Sequence, residues 1–323
     1  MENKNELFDE IKRAIKSSSN IIITGHKNLD MDAFGACLAI SELCRYFKKE
    51  SSIIKEDQVD ELSVSRAIHL LKDKETILTY DQIKSQINKK SLLVVVDAQD
   101  KDRLQHQSLV DEIDNLIILD HHNIEMTNYQ TERVKFVDST CSSTCEIIAD
   151  MTSYYGIKLS SIVSTIMLAG IKIDTNNFTN NTTDKTYRTA SILIQNGADN
   201  KEVRSLLKQE LKEYKKMQSL IAKVEIIDGI YAVVVAPSNQ LYKKETLAKA
   251  SDILLNFDNI EAAFTIGYIE TSVVGISARS LGSINVGKIM EQLKGGGYIT
   301  TGATELHEIT LEEVREKLKG VMK

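Results

Sequence analysis

Ile117-Ile118-Leu119-Asp120-His121-His122 is an apolar run that stops abruptly at a carboxylate followed by two imidazoles. A short aliphatic run of this kind reads as a buried strand of a parallel sheet. Its polar end then lies at the sheet's carboxyl edge, where open α/β folds bind ligands. The chain has only six histidines, and two of them are adjacent here. Two more runs read the same way. Ile21-Ile22-Ile23-Thr24-Gly25 delivers His26, and Leu92-Leu93-Val94-Val95-Val96 delivers Asp97. Helical patterns lie between them: Leu7, Phe8, Ile11 and Ile15 share a face before the first run, and Ala33 to about Lys48 follows it. Strand and helix in alternation predict an α/β fold with a doubly wound, mainly parallel sheet.

At 323 residues and 42% hydrophobic, the chain suits two domains of moderate size. The first is expected over 1–199, closing at Asn196-Gly197-Ala198-Asp199. A charged amphipathic helix then forms a linker over 200–223, and a smaller α/β domain occupies 224–323. In that last part strands are expected at 230–236, 262–269 and 272–278, the latter running into Arg279-Ser280, with helices at 242–256 and 284–293. Gly295-Gly296-Gly297-Tyr298 follows. The glycines read either as a flexible loop or as a place where backbone N–H groups approach an anion closely.

A formal charge of −6 argues against a protein that coats long nucleic acid by counterion release. A small phosphate ligand remains compatible, because bound cations supply local positive charge. Cys37, Cys44, Cys141 and Cys145 form no CxxC pair and read as buried hydrophobes in a reducing compartment. Three glycosylation sequons begin at Asn177, Asn180 and Asn181, but no secretory signal precedes them. No apolar run approaches the roughly 20 residues that span a bilayer. A cytoplasmic protein with no membrane segment in this chain is expected.

The loop His26-Lys27-Asn28-Leu29-Asp30-Met31-Asp32 packs three ligand-type side chains between a strand and a helix. Asp32 also suits a helix N-cap, and Asp97 a turn, but neither reading covers the whole set. Asp174 ends the apolar helix Ile162–Ile173, where the helix dipole disfavours a carboxylate unless something positive is near. Ser142-Ser143-Thr144 precedes a helix and reads as its N-terminus, and Ser142 and Ser143 as phosphate contacts. If His26, Asp30, Asp32, Asp97, His121 and Asp174 converge, four carboxylates repel one another unless cations neutralise them. Two divalent ions meet that demand. Carboxylate and imidazole ligation without thiolate favours Mn²⁺ over Mg²⁺, Fe²⁺ or Co²⁺. Ions roughly 3.5–4 Å apart would activate a hydroxide for in-line attack on phosphorus.

Four segments together resemble the motifs of DHH phosphoesterases: Gly25–Asp32, Val96-Asp97, Asp120-His121-His122 and Ala169–Thr175. The C-terminal part, with Ile276–Ser280 and the glycine run, resembles the family's DHH-associated domain. Met31 and Ser142–Thr144 look most like the cyclic-di-AMP phosphodiesterase branch. Many members of that branch carry membrane helices and sensory domains ahead of this core, so a stand-alone version or an excised fragment is expected.

The resemblance implies that Asp97 bridges two ions, that His26 and Asp30 complete one, and that Asp32, His121 and Asp174 complete the other. It also implies that His122 contacts the scissile phosphate and that Asp120 orients the histidines. Arg279, Gly295, Gly296, Gly297 and Tyr298 would hold the rest of the nucleotide.

The expected activity is hydrolysis of cyclic di-AMP to linear pApA. The alternatives are cleavage of short oligonucleotides or pAp, and a nucleotide sensor without turnover. A class II pyrophosphatase fits less well, and a homodimer is allowed. Tyr298 stands where the family carries histidine, Asn123 where it carries arginine, and Gln99 and Asn176 where it carries histidine and lysine.

Overall fold

The computed structural model describes residues 4–56, 61–72, 75–123, 129 and 133–322. The chain forms two compact units, Met1–Lys208 and Gln209–Lys323.

In the first unit, six parallel strands lie in the order β3-β2-β1-β4-β5-β6. They are β1 (Ile21–Thr24), β2 (Ser51–Ile54), β3 (Ile77–Leu78), β4 (Leu92–Val96), β5 (Asn115–Asp120) and β6 (Val134–Val137). Their side chains alternate between two cores, as the period of two requires. Ile21, Ile23, Val94, Val96, Ile117 and Leu119 face one core, and Ile22, Leu93, Val95, Leu116 and Ile118 the other.

The first core lies under the longer helices: α1 (Lys4–Ser17), α2 (Met31–Tyr46), α3 (Leu62–Leu71), α6 (Thr144–Tyr154) and α7 (Ser161–Asp174). Short helices α4 (Tyr80–Ile83) and α5 (Leu109–Glu112) help cover the second. Helices on both faces make the sheet doubly wound, as expected. The strand order reverses between β1 and β4, the position where such sheets place ligands. His26 and Asp97 leave the sheet on either side of that reversal.

Two helices, α8 (Asp184–Gln195) and α9 (Asn200–Leu206), complete the first unit. The single connector helix expected over 200–223 is in fact two. Val203 and Leu206 of α9 join the first unit's core, whereas Met217, Leu220 and Ile221 of α10 (Leu211–Ile221) join a core of the second. The charged stretch hid two separate apolar faces.

The second unit is a mixed sheet in the order β11-β12-β10-β9-β8-β7, with only β8 and β9 parallel. Its strands are β7 (Glu225–Ile227), β8 (Tyr231–Val235), β9 (Ala262–Glu270), β10 (Val273–Ser280), β11 (Gly296–Gly297) and β12 (Thr301–His307). Helices α11 (Lys244–Leu254), α12 (Val286–Gln292) and α13 (Leu311–Val321) pack on it. β12 was not foreseen: its sequence, Thr-Gly-Ala-Thr-Glu-Leu-His, has little β-propensity, and neighbours on both sides hold it in place. No helix among the described residues is long and apolar enough to cross a membrane.

Candidate metal centre

Three strand ends and two helix ends supply the side chains. Asp97 follows β4 directly, with a backbone φ of 57° in the left-handed region that Asp tolerates better than most residues. Its N–H is anchored on the Leu119 carbonyl at 2.9 Å, which ties the turn to β5. The carboxylate is buried. Oδ2 faces His26 Nε2 at 3.4 Å, while Oδ1 faces His121 Nε2 at 3.5 Å and His122 Nδ1 at 3.4 Å.

His26 Nδ1 lies 2.7 Å from the Lys27 carbonyl. A carbonyl only accepts, so Nδ1 carries the proton and Nε2 is the nitrogen presented to the carboxylates. A second hydrogen bond of this kind is what fixes the tautomer of a ligating imidazole. Asp30 Oδ2 lies 3.4 Å from the same Nε2. The helix N-cap considered for Asp32 falls instead to Asp30, whose Oδ1 accepts from Ala33 N–H at 2.9 Å. Asp30 thus has one oxygen for the helix and one for the site.

Asp32 is buried at the start of α2, beside Asp174 at the end of α7. Gly170 makes this juxtaposition possible. A Cβ there would stand 2.9 Å from Asp32 Cα and 3.0 Å from the Met31 carbonyl oxygen, so only glycine lets α7 approach the first turn of α2 this closely. Asp174 Oδ2 then lies 3.5 Å from His121 Nε2.

The ligand-type atoms form two triads, each within 4.8 Å: His26, Asp30 and Asp97, and Asp32, His121 and Asp174. A third group of the same tightness, Asp97, Asp120, His121 and His122, overlaps both. All six candidate ligands are therefore brought together, with Asp97 central.

Buried Asp120 accepts at Oδ1 from the backbone N–H of His121 (2.7 Å) and His122 (3.2 Å) and from His122 Nδ1 (2.8 Å). It thus orients the His122 ring directly and His121 through the backbone. Buried Gln99 donates to the His122 carbonyl.

Carboxylates crowded this closely shift one another's proton affinities. Burial, then Asp32, Asp30 and Asp97, push the Asp174 carboxyl well above the ordinary range. Burial and the Asp97 charge raise Asp32 to about 6, even though two backbone N–H groups donate to it. Burial alone would lower the His26 pKa, but Asp30 and Asp97 outweigh it and raise it to about 11. These shifts favour protons on the cluster, which would offset its negative charge. Divalent cations on an oxygen- and imidazole-rich donor set would do so better, and the residues fit a pair of them.

Other expected contacts fall elsewhere. Ser142 and Ser143 are buried and turned toward their own helix: Ser142 Oγ and N–H donate to Glu146 Oε2, and Ser143 Oγ caps the Glu146 N–H. Their hydroxyls serve the start of α6 rather than an open phosphate site. The next residue, Thr144, reaches the centre and was missed; its place at N1, after two serines that fitted the capping role, concealed it.

In the second unit, Arg279 pairs with Asp252 at 3.0 Å and lines a cavity of about 260 Å³ with Lys244, Ser277 and Glu305. Gly297, at φ 150°, would place a Cβ 2.2 Å from the Thr301 carbonyl oxygen, so the close β11–β12 pairing itself requires glycine there. Tyr298 is 66% exposed.

Residues 20–171 match the N-terminal domain of the DHH family, and residues 228–323 match the DHHA1 domain. The chain belongs to the DHH phosphoesterase family. Among DHH relatives, the cyclic-di-AMP phosphodiesterase GdpP of Bacillus subtilis is 32% identical over 96% of this chain. The chain spans about half of that protein, 48% of its length. A probable bifunctional oligoribonuclease and PAP phosphatase, NrnA of Streptococcus mutans, is 25% identical over 98% of this chain and 99% of its own. The crystal structure of an exopolyphosphatase-related protein from Bacteroides fragilis superposes with a TM-score of 0.81 at 19% identity, covering 99% of this chain and 98% of the other. At that identity the likeness establishes a shared two-unit fold. The DHH assignment accounts for the Asp120-His121-His122 run at the end of β5.

Proposed function

We propose that this chain is a metal-dependent phosphodiesterase that hydrolyses cyclic di-AMP to linear pApA. The observation that carries the proposal is the pair of carboxylate–imidazole triads, linked where Asp97 of one faces His121 of the other. The likeness to the Bacillus subtilis enzyme over 96% of the chain supports the substrate.

We assign His26, Asp30 and Asp97 to one ion and Asp32, His121 and Asp174 to the other, with Asp97 between them and Mn²⁺ the preferred metal. A divalent pair there would draw charge from the phosphoryl oxygens and lower the pKa of a neighbouring water.

The residues around it supply the rest. The hydrogen bond to Asp120 raises the His122 pKa above its ordinary value, so the ring is readily held as imidazolium. Its side chain is 37% exposed, the most open of the three imidazoles. A protonated His122 facing the scissile phosphate balances charge on the phosphorane oxygens. Its Nε2 can pass a proton to the departing ribose oxygen as the P–O bond breaks, while water forms the new P–O bond and releases its own proton to solvent. Asp120 holds the Nδ1–H and so directs Nε2 outward. Contacts from Arg279, the Gly295–Gly297 backbone and Tyr298 to the remainder of the nucleotide belong to the same proposal.

The second reading is cleavage of linear dinucleotides or pAp. It is favoured by the match to the Streptococcus mutans protein, which runs along almost the whole of both chains. Parallel incubations with Mn²⁺ and cyclic di-AMP, pApA, pAp or pyrophosphate, resolved by chromatography, separate the readings. Conversion of cyclic di-AMP to pApA is expected. Cleavage of pApA or pAp alone would replace the first reading with the second, and binding without any turnover would make the protein a sensor.

A further inference from the structure

Two candidate ligands from opposite triads, Asp97 after β4 and Asp32 in α2, are held by one buried residue. Thr144 donates its Oγ1–H to Asp97 Oδ1 at 2.9 Å and its backbone N–H to Asp32 Oδ2 at 2.7 Å. The Cys145 N–H donates to Asp32 Oδ1 at 2.9 Å. The first N–H groups of a helix lack partners within it. In α6 the N-cap, Ser143, serves Glu146 N–H, which leaves those of Thr144 and Cys145 for Asp32.

We propose that Thr144 is a positioning residue for both halves of the metal centre. The terminal torsion of an aspartate is a broad, two-fold rotor, so the carboxylate plane is set by its partners. Asp97 must keep Oδ2 toward His26 and Oδ1 toward His121 and His122. The Thr144 hydroxyl, arriving at Oδ1 from α6, holds that orientation. The same residue's N–H fixes Asp32, so a single backbone position sets the spacing between the two triads. A shift of Thr144 would therefore move ligands of both ions together.

The inference rests on reading the cluster as a two-metal centre, and its test distinguishes the two claims. Metal-free wild type, Thr144→Val and Thr144→Ser are titrated with Mn²⁺ by calorimetry, and the exchange-coupled signal of paired Mn²⁺ is followed by electron paramagnetic resonance. Valine keeps the shape and the backbone N–H but removes the hydroxyl; serine keeps the hydroxyl.

Thr144→Val is expected to bind Mn²⁺ about tenfold to a hundredfold more weakly, the usual cost of removing a partner of a metal ligand. Its coupled signal should weaken, its circular dichroism should not change, and Thr144→Ser should recover wild-type affinity. Should Thr144→Val not fold, Thr144→Ala carries the same comparison. A hydroxyl-free variant that binds two ions as tightly as wild type would overturn the positioning role. Wild type that binds fewer than two ions would overturn the two-metal reading itself.

Discussion

At the scale of single residues, the centre places stability and chemistry in opposition. Asp174 ends α7, where the helix dipole disfavours a negative charge, and it faces three other carboxylates. Asparagine there mimics the protonated acid and relieves the repulsion while removing a candidate ligand. Asp174→Asn is expected to melt about 2–4 °C higher than wild type at pH 8 without metal, the shift that roughly 1 kcal/mol produces in a domain of this size. Phosphodiesterase activity with Mn²⁺ should be lost. Scanning calorimetry of the metal-free pair and a turnover assay check both halves; a lower melting temperature would show that Asp174 is not under electrostatic strain. Such a trade is common where side chains are arranged for function rather than stability. The residue types were legible in the sequence, because carboxylates and histidines ending apolar runs have few structural uses. The orientation of Asp97 and the partner that holds it were not, because Thr144 lies 47 positions away.

At the scale of elements, the site depends on how closely α7 meets α2. The contact at Gly170 involves backbone atoms of Met31 and Asp32, which cannot move aside as a flexible side chain would. Gly170→Ala would normally favour a helix, by roughly 0.8–1.0 kcal/mol. Here overpacking should reverse the sign, and a net loss of about 1–3 kcal/mol is expected from urea unfolding. Mn²⁺ affinity should fall in parallel, since the displaced helices carry Asp32 and Asp174. A stabilised variant would mean that the helices can part without cost. Element positions were largely readable: β1, β4 and β5 stand where their aliphatic runs put them. Elements defined by their neighbours were not. β12 owes its strand conformation to β10 and β11, and α9 and α10 are separated by the different cores they join.

At the scale of the whole molecule, the cluster is expected to make stability depend on pH differently with and without metal. In the metal-free protein, Asp32, Asp174 and His26 all have folded pKa values above their ordinary ones. Such groups stabilise the fold fully below the unfolded pKa, and that contribution is lost as pH rises through the folded value. For Asp32 the loss runs from about 4 to about 6, and for His26 it begins near 6.5 and continues toward 11. The metal-free melting temperature is therefore expected to fall steadily from pH 6 to pH 8. Metal binding needs neutral imidazoles and ionised carboxylates, so the stabilisation by saturating Mn²⁺ should grow over the same interval. Chelator-treated and Mn²⁺-loaded samples compared by differential scanning fluorimetry test this. Parallel slopes would show that the buried cluster is not the proton-linked metal site.

Local pattern was enough to establish a parallel α/β sheet, a second α/β unit and the residue types gathered at one sheet edge. The reason is that strand periodicity, aliphatic runs and the polar residues that end them are properties of short segments. Tertiary structure alone decided which oxygen of Asp97 faces which imidazole, that Ser142 and Ser143 turn inward while Thr144 reaches the centre, and that Gly170 lets Asp32 and Asp174 meet. Those outcomes depend on distances between segments far apart in the chain, and packing, rather than any local preference, determines such distances.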